Sequence, residues 1–260
     1  MCVRQPNNEI LTHRAEINSL SERYRILRLP FLRGIIALTE TLYLGVKGIY
    51  FSANAVLEEE EKLTPKELAV VMVLTVALMS VFFVVPFLLT TLFNLTGVLF
   101  NVVEAAVRLA MFLLYLALVA RWSEFKRVLQ YHGAEHKTIN AHEAEVTLTV
   151  ANVREFSRLH PRCGTSFIFI VMCVCILLFS IMPNLGFAAR LAYRVLLIPA
   201  IGAISYELLK LSGKYRDSII TRMLTLPGLA FQRLTTKEPD DDMLEVAIKA
   251  VKEATRIAGS

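Results

Sequence analysis

Charge is missing from two long stretches of this chain. No Asp, Glu, Lys or Arg falls between Leu68 and Val103, and none between Cys163 and Ala189. A soluble domain normally carries more charged residues than the 20% present here, and spreads them more evenly. Both stretches are long enough to cross a bilayer as a helix, which takes roughly 20 apolar residues. The alternative, buried helices in a large soluble core, fits less well, because a core helix of that length normally keeps a polar stripe. Cysteine is also scarce. Cys2, Cys163, Cys173 and Cys175 are scattered and form no CxxC pair, which excludes a disulfide framework. There is no nucleotide-binding Gly-rich loop and no aromatic-basic patch, so neither nucleotide nor nucleic acid is an expected partner. Met1 to Arg28 is polar and charged and does not resemble a cleavable signal peptide, so the first span is expected to act as its own insertion signal.

What is present is apolar and helical in pattern. Of 260 residues, 55% are hydrophobic, and the mean hydropathy is +0.52. The expected fold is an all-α membrane protein with four transmembrane helices, interfacial and amphipathic helices, and a cytoplasmic His-rich segment. Residues 1–66 read as a cytoplasmic N-terminal region. Within it, about 30–51 forms an interfacial helix, because Arg33, Glu40 and Lys47 interrupt an otherwise apolar run. Thr64-Pro65-Lys66-Glu67 reads as a helix start with a capping box. Residues 67–121 form a transmembrane hairpin, with spans at about 68–92 and 98–120, a kink at Pro86 and a tight turn at Asn94 to Gly97. Residues 122–163 are the His-rich segment. Residues 164–211 form a second hairpin, with spans at about 164–182 and 190–211. Residues 212–260 are a C-terminal tail, with a turn at Pro227-Gly228, a solvated loop at Asp240 to Asp242 and an amphipathic helix from Met243 to Ala258.

Orientation follows from the placement of Lys and Arg. The N-terminal region, the His-rich segment and the tail are rich in both, whereas the first hairpin tip has none and the second offers only Arg190 and Arg194. Both termini are therefore expected in the cytoplasm of a multi-pass cell-membrane protein. Glu104 and Arg108 lie inside the second span four residues apart, on one helix face, and form either a structural ion pair or part of a route.

Four of the five histidines fall between His132 and His160. His132 and His136 stack on one helix face, and Glu135 completes the string H-x-x-E-H, the inverted form of a zinc-peptidase motif. In such sites a glutamate beside the ion deprotonates water. Gly133 weakens this helix by roughly 1 kcal/mol relative to Ala. Glu143 is seven residues beyond His136, near the same face, while His142 points away. His160 and Cys163 sit at the mouth of the third span and can converge with His132 and His136. Imidazole with thiolate or carboxylate favours zinc. Cys163 also reads as an ordinary buried thiol, and His160 as a turn residue before Pro161.

Gln130 to Glu143 (QYHGAEHKTINAHE), Leu159 to Phe167 (LHPRCGTSF), Pro30 to Gly34 (PFLRG) and Leu226 to Ile248 resemble the YqhQ-like family. These are bacterial membrane proteins of unknown function, often labelled metal-dependent enzymes. The resemblance covers nearly the whole chain. It matches His132, Glu135, His136, Asn140, Glu143, His160, Arg162 and Cys163, and implies an inner-membrane location. It also implies a Gly-rich stretch with an EGVMMR-like string, which is not found here. This sequence starts at Met1-Cys2-Val3-Arg4, which reads as just beyond that string.

Three functions are then in competition. The first is a zinc-dependent membrane hydrolase. In it His132 and His136 bind the ion, and Glu143, His160 or Cys163 is the third ligand. Glu135 activates water, Arg162 holds an anionic group, and the substrate lies at the membrane surface as a peptide or a lipid head group. The second is a transporter or channel using Glu104, Arg108 and Glu207, which four spans would support only as a homo-oligomer. The third is a membrane scaffold with a closed structural metal site.

Overall fold

The computed structural model describes residues 1–15, 19–57, 62–161, 163–181, 186–214 and 219–258. The described chain is mostly helical. A small antiparallel hairpin, β1 (Cys2–Arg4) and β2 (Ile10–Thr12), precedes α1 (Leu20–Arg23) and a 3-10 turn (Arg25–Arg28). Then come α2 (Leu32–Val56), α3 (Pro65–Thr91), α4 (Gly97–Val119), α5 (Ser123–Glu143) and α6 (Val150–Arg154). The last four are α7 (Gly164–Ser180), α8 (Phe187–Lys214), α9 (Ile219–Thr235) and α10 (Asp241–Ala258).

Among the described residues, three helices are long and apolar enough to cross a membrane: Pro65–Thr91, Gly97–Val119 and Ala188–Leu211. Phe167–Ser180 is apolar but shorter. The 17 residues of α7 rise about 25 Å, short of the roughly 30 Å hydrocarbon layer. The expected end of that span, at Met182, lies outside the described residues. The expected start of α3 is present. Thr64 Oγ1 accepts from the Glu67 amide at 3.3 Å, and the Thr64 amide donates to the Glu67 carboxylate at 2.7 Å. The turn between α3 and α4 needs left-handed backbone at Asn94 (φ 51°) and Gly97 (φ 62°), a region open to glycine and tolerated by asparagine.

α2 has company that its sequence did not predict. It packs along α8, where Gly34 comes so close that a Cβ would sit 3.1 Å from the Ala203 backbone. A Cβ on Gly202 would in turn meet the Leu38 side chain at 3.0 Å. Small residues that let two helix backbones approach are a common device between membrane helices. Arg33 closes this contact by pairing bidentately with Glu207. Arg33 therefore spends its charge on an ion pair, and Glu207 is not grouped with Glu104 and Arg108.

Two apolar cores result. One lies between α7 and α8 and contains Ile170, Val174, Phe179 and Ile201. The other joins α5, α6 and α10 through Ala134, Ala141, Val153, Met243, Leu244 and Ile248. Ala134 and Ala141 are seven residues apart, so they share the face that receives α10. The N-terminal hairpin docks on α10. Arg4 reaches Glu245 at 2.6 Å, and Lys249 donates to the Ile10 carbonyl at 3.0 Å. Beyond residue 211 the described residues form packed helices. α9 packs along α7 and α4, and the expected turn at Pro227-Gly228 lies inside it. Proline's fixed φ is itself helical, so it costs a helix a hydrogen bond more than its path. Asp241 and Asp242 open α10, where the helix dipole favours acidic residues.

Candidate metal centre

α5 carries the site. Its His132 and His136 rings lie with centroids 4.4 Å apart, as spacing four on one face requires. Each ring is tethered at Nδ1 by a backbone carbonyl, His132 to Thr235 at 2.8 Å and His136 to Arg158 at 2.7 Å. When Nδ1 donates to those carbonyls, each imidazole keeps Nε2 as its free lone pair. His132 Nε2 lies 3.2 Å from Cys163 Sγ. One ligand atom each from His132, His136 and Cys163 falls within 4.8 Å of the others. Such outer tethers fix tautomer and orientation in metal sites, so this donor set fits a zinc ion.

The tethers are held by a second set of contacts. Asn140 donates to the carbonyls of Ser157 at 2.7 Å and Leu159 at 3.1 Å, which shapes the loop carrying the Arg158 carbonyl. Buried Lys137 donates to the Arg154 carbonyl at 2.7 Å and pairs with Glu238 at 2.5 Å. Arg158 reaches the Thr236 carbonyl. Gln232, fully buried, clamps the His160 backbone from both sides, accepting from its amide at 2.7 Å and donating to its carbonyl at 2.8 Å. Cys163 follows as the N-cap of α7, where the positive end of the helix favours a thiolate.

Gly133 has a steric reason to be glycine. A Cβ there would lie 2.1 Å from the Lys237 carbonyl oxygen, because the strap between α9 and α10 crosses α5 at this point. The Lys237 amide donates to the Leu129 carbonyl at 2.9 Å. The close crossing is what brings the Thr235 carbonyl to His132.

The sequence-derived residues fall as follows. His132, His136, Glu135, Glu143, His160 and Cys163 line one cavity of about 480 Å³. Glu135 is exposed at its rim. Glu143 sits 3.4 Å from His160 Nε2, and His160 is 5.9 Å from His136 between ring centroids. The close group of donors is thus the two α5 histidines with Cys163, while Glu143 and His160 form a neighbouring pair. Arg162 lies outside the described residues. Glu104 and Arg108 are joined by Arg194, which lies near the start of the expected fourth span. Arg194 donates to Glu104 Oε1 at 2.5 Å, as Arg108 does. Gln232 and the Thr235 carbonyl were also missed. They lie 72 and 103 residues from their partners, with no local pattern to mark them.

The hydrogen bond that His132 donates to the Cys163 sulfur raises the His132 pKa above its ordinary 6.5, opposed by burial and helped by the Thr235 carbonyl and the Glu135 charge. A raised folded-state value means that this stabilisation is complete below about pH 6.5 and is lost as pH rises through the folded value. In metal-free protein, an NMR titration of His132 is expected to show the elevated value, and Cys163→Ala is expected to return it toward 6.5. An unchanged titration in the variant would remove Cys163 as the cause.

No solved structure matches the chain. The "Uncharacterized protein YqhQ" of Bacillus subtilis (strain 168) is 37% identical over 253 residues, spanning 89% of this chain and 79% of the relative. The model of the family described as "Protein of unknown function (DUF1385)" matches residues 29–257. The chain therefore belongs to the DUF1385 family, whose function is unknown.

Proposed function

We propose that the protein is a zinc-dependent hydrolase at the cytoplasmic face of the bacterial inner membrane, with His132, His136 and Cys163 as metal ligands. The observation that carries this reading is the pair of carbonyl tethers on the two Nδ1 atoms, which leave both Nε2 atoms available beside the Cys163 thiol. Three protein donors leave a tetrahedral ion one open position, as catalytic zinc sites have and structural ones lack. When bound, zinc supplies Lewis acidity and makes water a stronger acid. Glu135, at the cavity rim, takes the proton from water. Glu143, beside His160, delivers a proton to the leaving group. Arg162 keeps its role as the holder of an anionic group.

The membrane placement has its own support. α7 serves as a short fourth span beside the three longer ones, which puts both termini and α5 on one side. The Lys and Arg bias makes that side cytoplasmic. A substrate held at the bilayer surface, as a peptide or a lipid head group, suits a cavity at the mouth of α7. The transporter reading has weaker support. The space that Glu104 and Arg108 line together is about 10 Å³, room for about one water. A closed structural site would need a fourth protein donor with the three.

The test is a hydrolase screen of ester, amide and phosphoester substrates in detergent-solubilised, zinc-loaded protein, run against Glu135→Gln. The variant is expected to retain metal and lose activity by about 10²-fold or more. Wild-type hydrolysis no faster than that of the variant would contradict the assignment.

A further inference from the structure

A second cavity, of about 500 Å³, lies between α3, α7 and α8. One stripe of α7 forms its wall: Phe167, Val171, Cys175 and Phe179, spaced every four residues. That stripe runs about 18 Å along the helix, and the lining is almost wholly apolar. Charge enters through two side chains, Arg108 and Arg194, while the Ser80 hydroxyl donates to the Ala77 carbonyl of its own helix. Arg194 lies toward one end, stacked over Phe87 at 4.6 Å and Phe179 at 4.7 Å. The other end, near Phe167, Leu38 and Gly202, carries no charge. A slot that is charged at one end and greasy along its length has the shape and polarity of a single-chain amphiphile.

The charges around it do not balance. Glu104 is 1% exposed, and its Oε1 accepts from both Arg108 and Arg194. One carboxylate therefore serves two guanidinium groups. Beyond Glu67 at the start of α3, the other Asp or Glu in the three long apolar helices is Glu207, which Arg33 engages, and Glu40 on α2 is taken by the Ser19 hydroxyl and the Leu20 amide. Arg194 is 7% exposed; its Nη atoms donate to Glu104 and Asn101, but its Nε is buried with no acceptor, and Glu104 Oε2 likewise has no donor, among the described residues. A charged side chain held in lipid with an unmet donor is costly and points to a partner. The gap lined by Glu104 and Arg108, about 10 Å³, is too small for an anion. The larger cavity offers an approach, since Arg108 and Arg194 both line it.

We infer that this cavity binds the acyl chain of an anionic lipid, with its carboxylate or phosphate taken by Arg194 and Arg108. The surplus positive charge selects the anionic head, and the α7 stripe takes the chain. The inference is independent of the metal site and stands or falls without it.

The test uses the full chain in neutral detergent with four radiolabelled probes: palmitate, methyl palmitate, lysophosphatidylglycerol and lysophosphatidylcholine. Binding near one probe per chain is expected for an anionic probe, with its neutral or zwitterionic counterpart weaker by about tenfold or more, the value of a charged hydrogen bond. Preference for palmitate identifies a free fatty acid, and preference for lysophosphatidylglycerol identifies a phospholipid. Arg194→Gln is expected to abolish the charge preference while chain binding persists. Val195→Trp, which fills the exposed wall without touching the ion cluster, is expected to weaken all four probes. Equal binding of charged and uncharged probes would overturn the inference. So would a charge preference unchanged in folded Arg194→Gln, or a cavity found closed by a second copy of the chain in cross-linking.

Discussion

Glu104→Leu is expected to destabilise the apolar helix bundle by about 3–5 kcal/mol, the usual cost of breaking a buried ion pair by removing one partner. The argument rests on what would be left behind. Oε1 of Glu104 takes hydrogen bonds from Arg108 and Arg194, and the Asn101 side chain ties the group to α7 through the Phe179 carbonyl at 2.9 Å. Leucine fills similar volume but leaves two guanidinium groups without a counter-charge. Arg194→Leu is expected to cost less, since Glu104 and Arg108 remain paired on α4. Equilibrium unfolding in mixed detergent micelles measures both. A loss below about 1 kcal/mol for Glu104→Leu would mean that the arginines find water or lipid head groups instead.

Gly133→Ala is expected to reverse the ordinary effect of such a change. In an open helix this substitution stabilises by roughly 1 kcal/mol. Here the new Cβ would lie 2.1 Å from the Lys237 carbonyl oxygen, and backbone cannot swing away as a side chain can. Either α5 or the strap has to move, at a cost of about 1–3 kcal/mol or more. A moved strap withdraws the Thr235 carbonyl from His132, so zinc affinity is expected to fall about tenfold or more, as on loss of an outer tether. Thermal unfolding together with zinc titration tests this. A variant as stable as the parent, with unchanged zinc binding, would contradict the close crossing.

The histidine motif and the capping box were legible because their logic is local. His132 and His136 meet by helical spacing alone, and Thr64 finds Glu67 within one turn. Cys163 was legible as a candidate for a different reason. Both ends of the His-rich segment adjoin apolar helices, which limits how far apart they can be. Gly133 was read as a weakness because its reason lies in Lys237, more than a hundred residues on. Arg194 was read only as a topology charge near the start of the fourth span, since a charge near a span end signals topology as readily as pairing. The docking of α2 on α8 was hidden by Arg33, whose charge suggested solvent but is matched by Glu207. Side chains whose partners are distant carbonyls or distant charges leave no period in the sequence.

Metal content tests the central claim most directly. Elemental analysis of the purified, detergent-solubilised protein is expected to show about one zinc per chain, the load of a single tetrahedral site. The His132→Ala/His136→Ala double variant is expected to have lost it. No zinc in either protein after reconstitution with excess ion, or equal zinc in both, would contradict a metal centre at His132, His136 and Cys163.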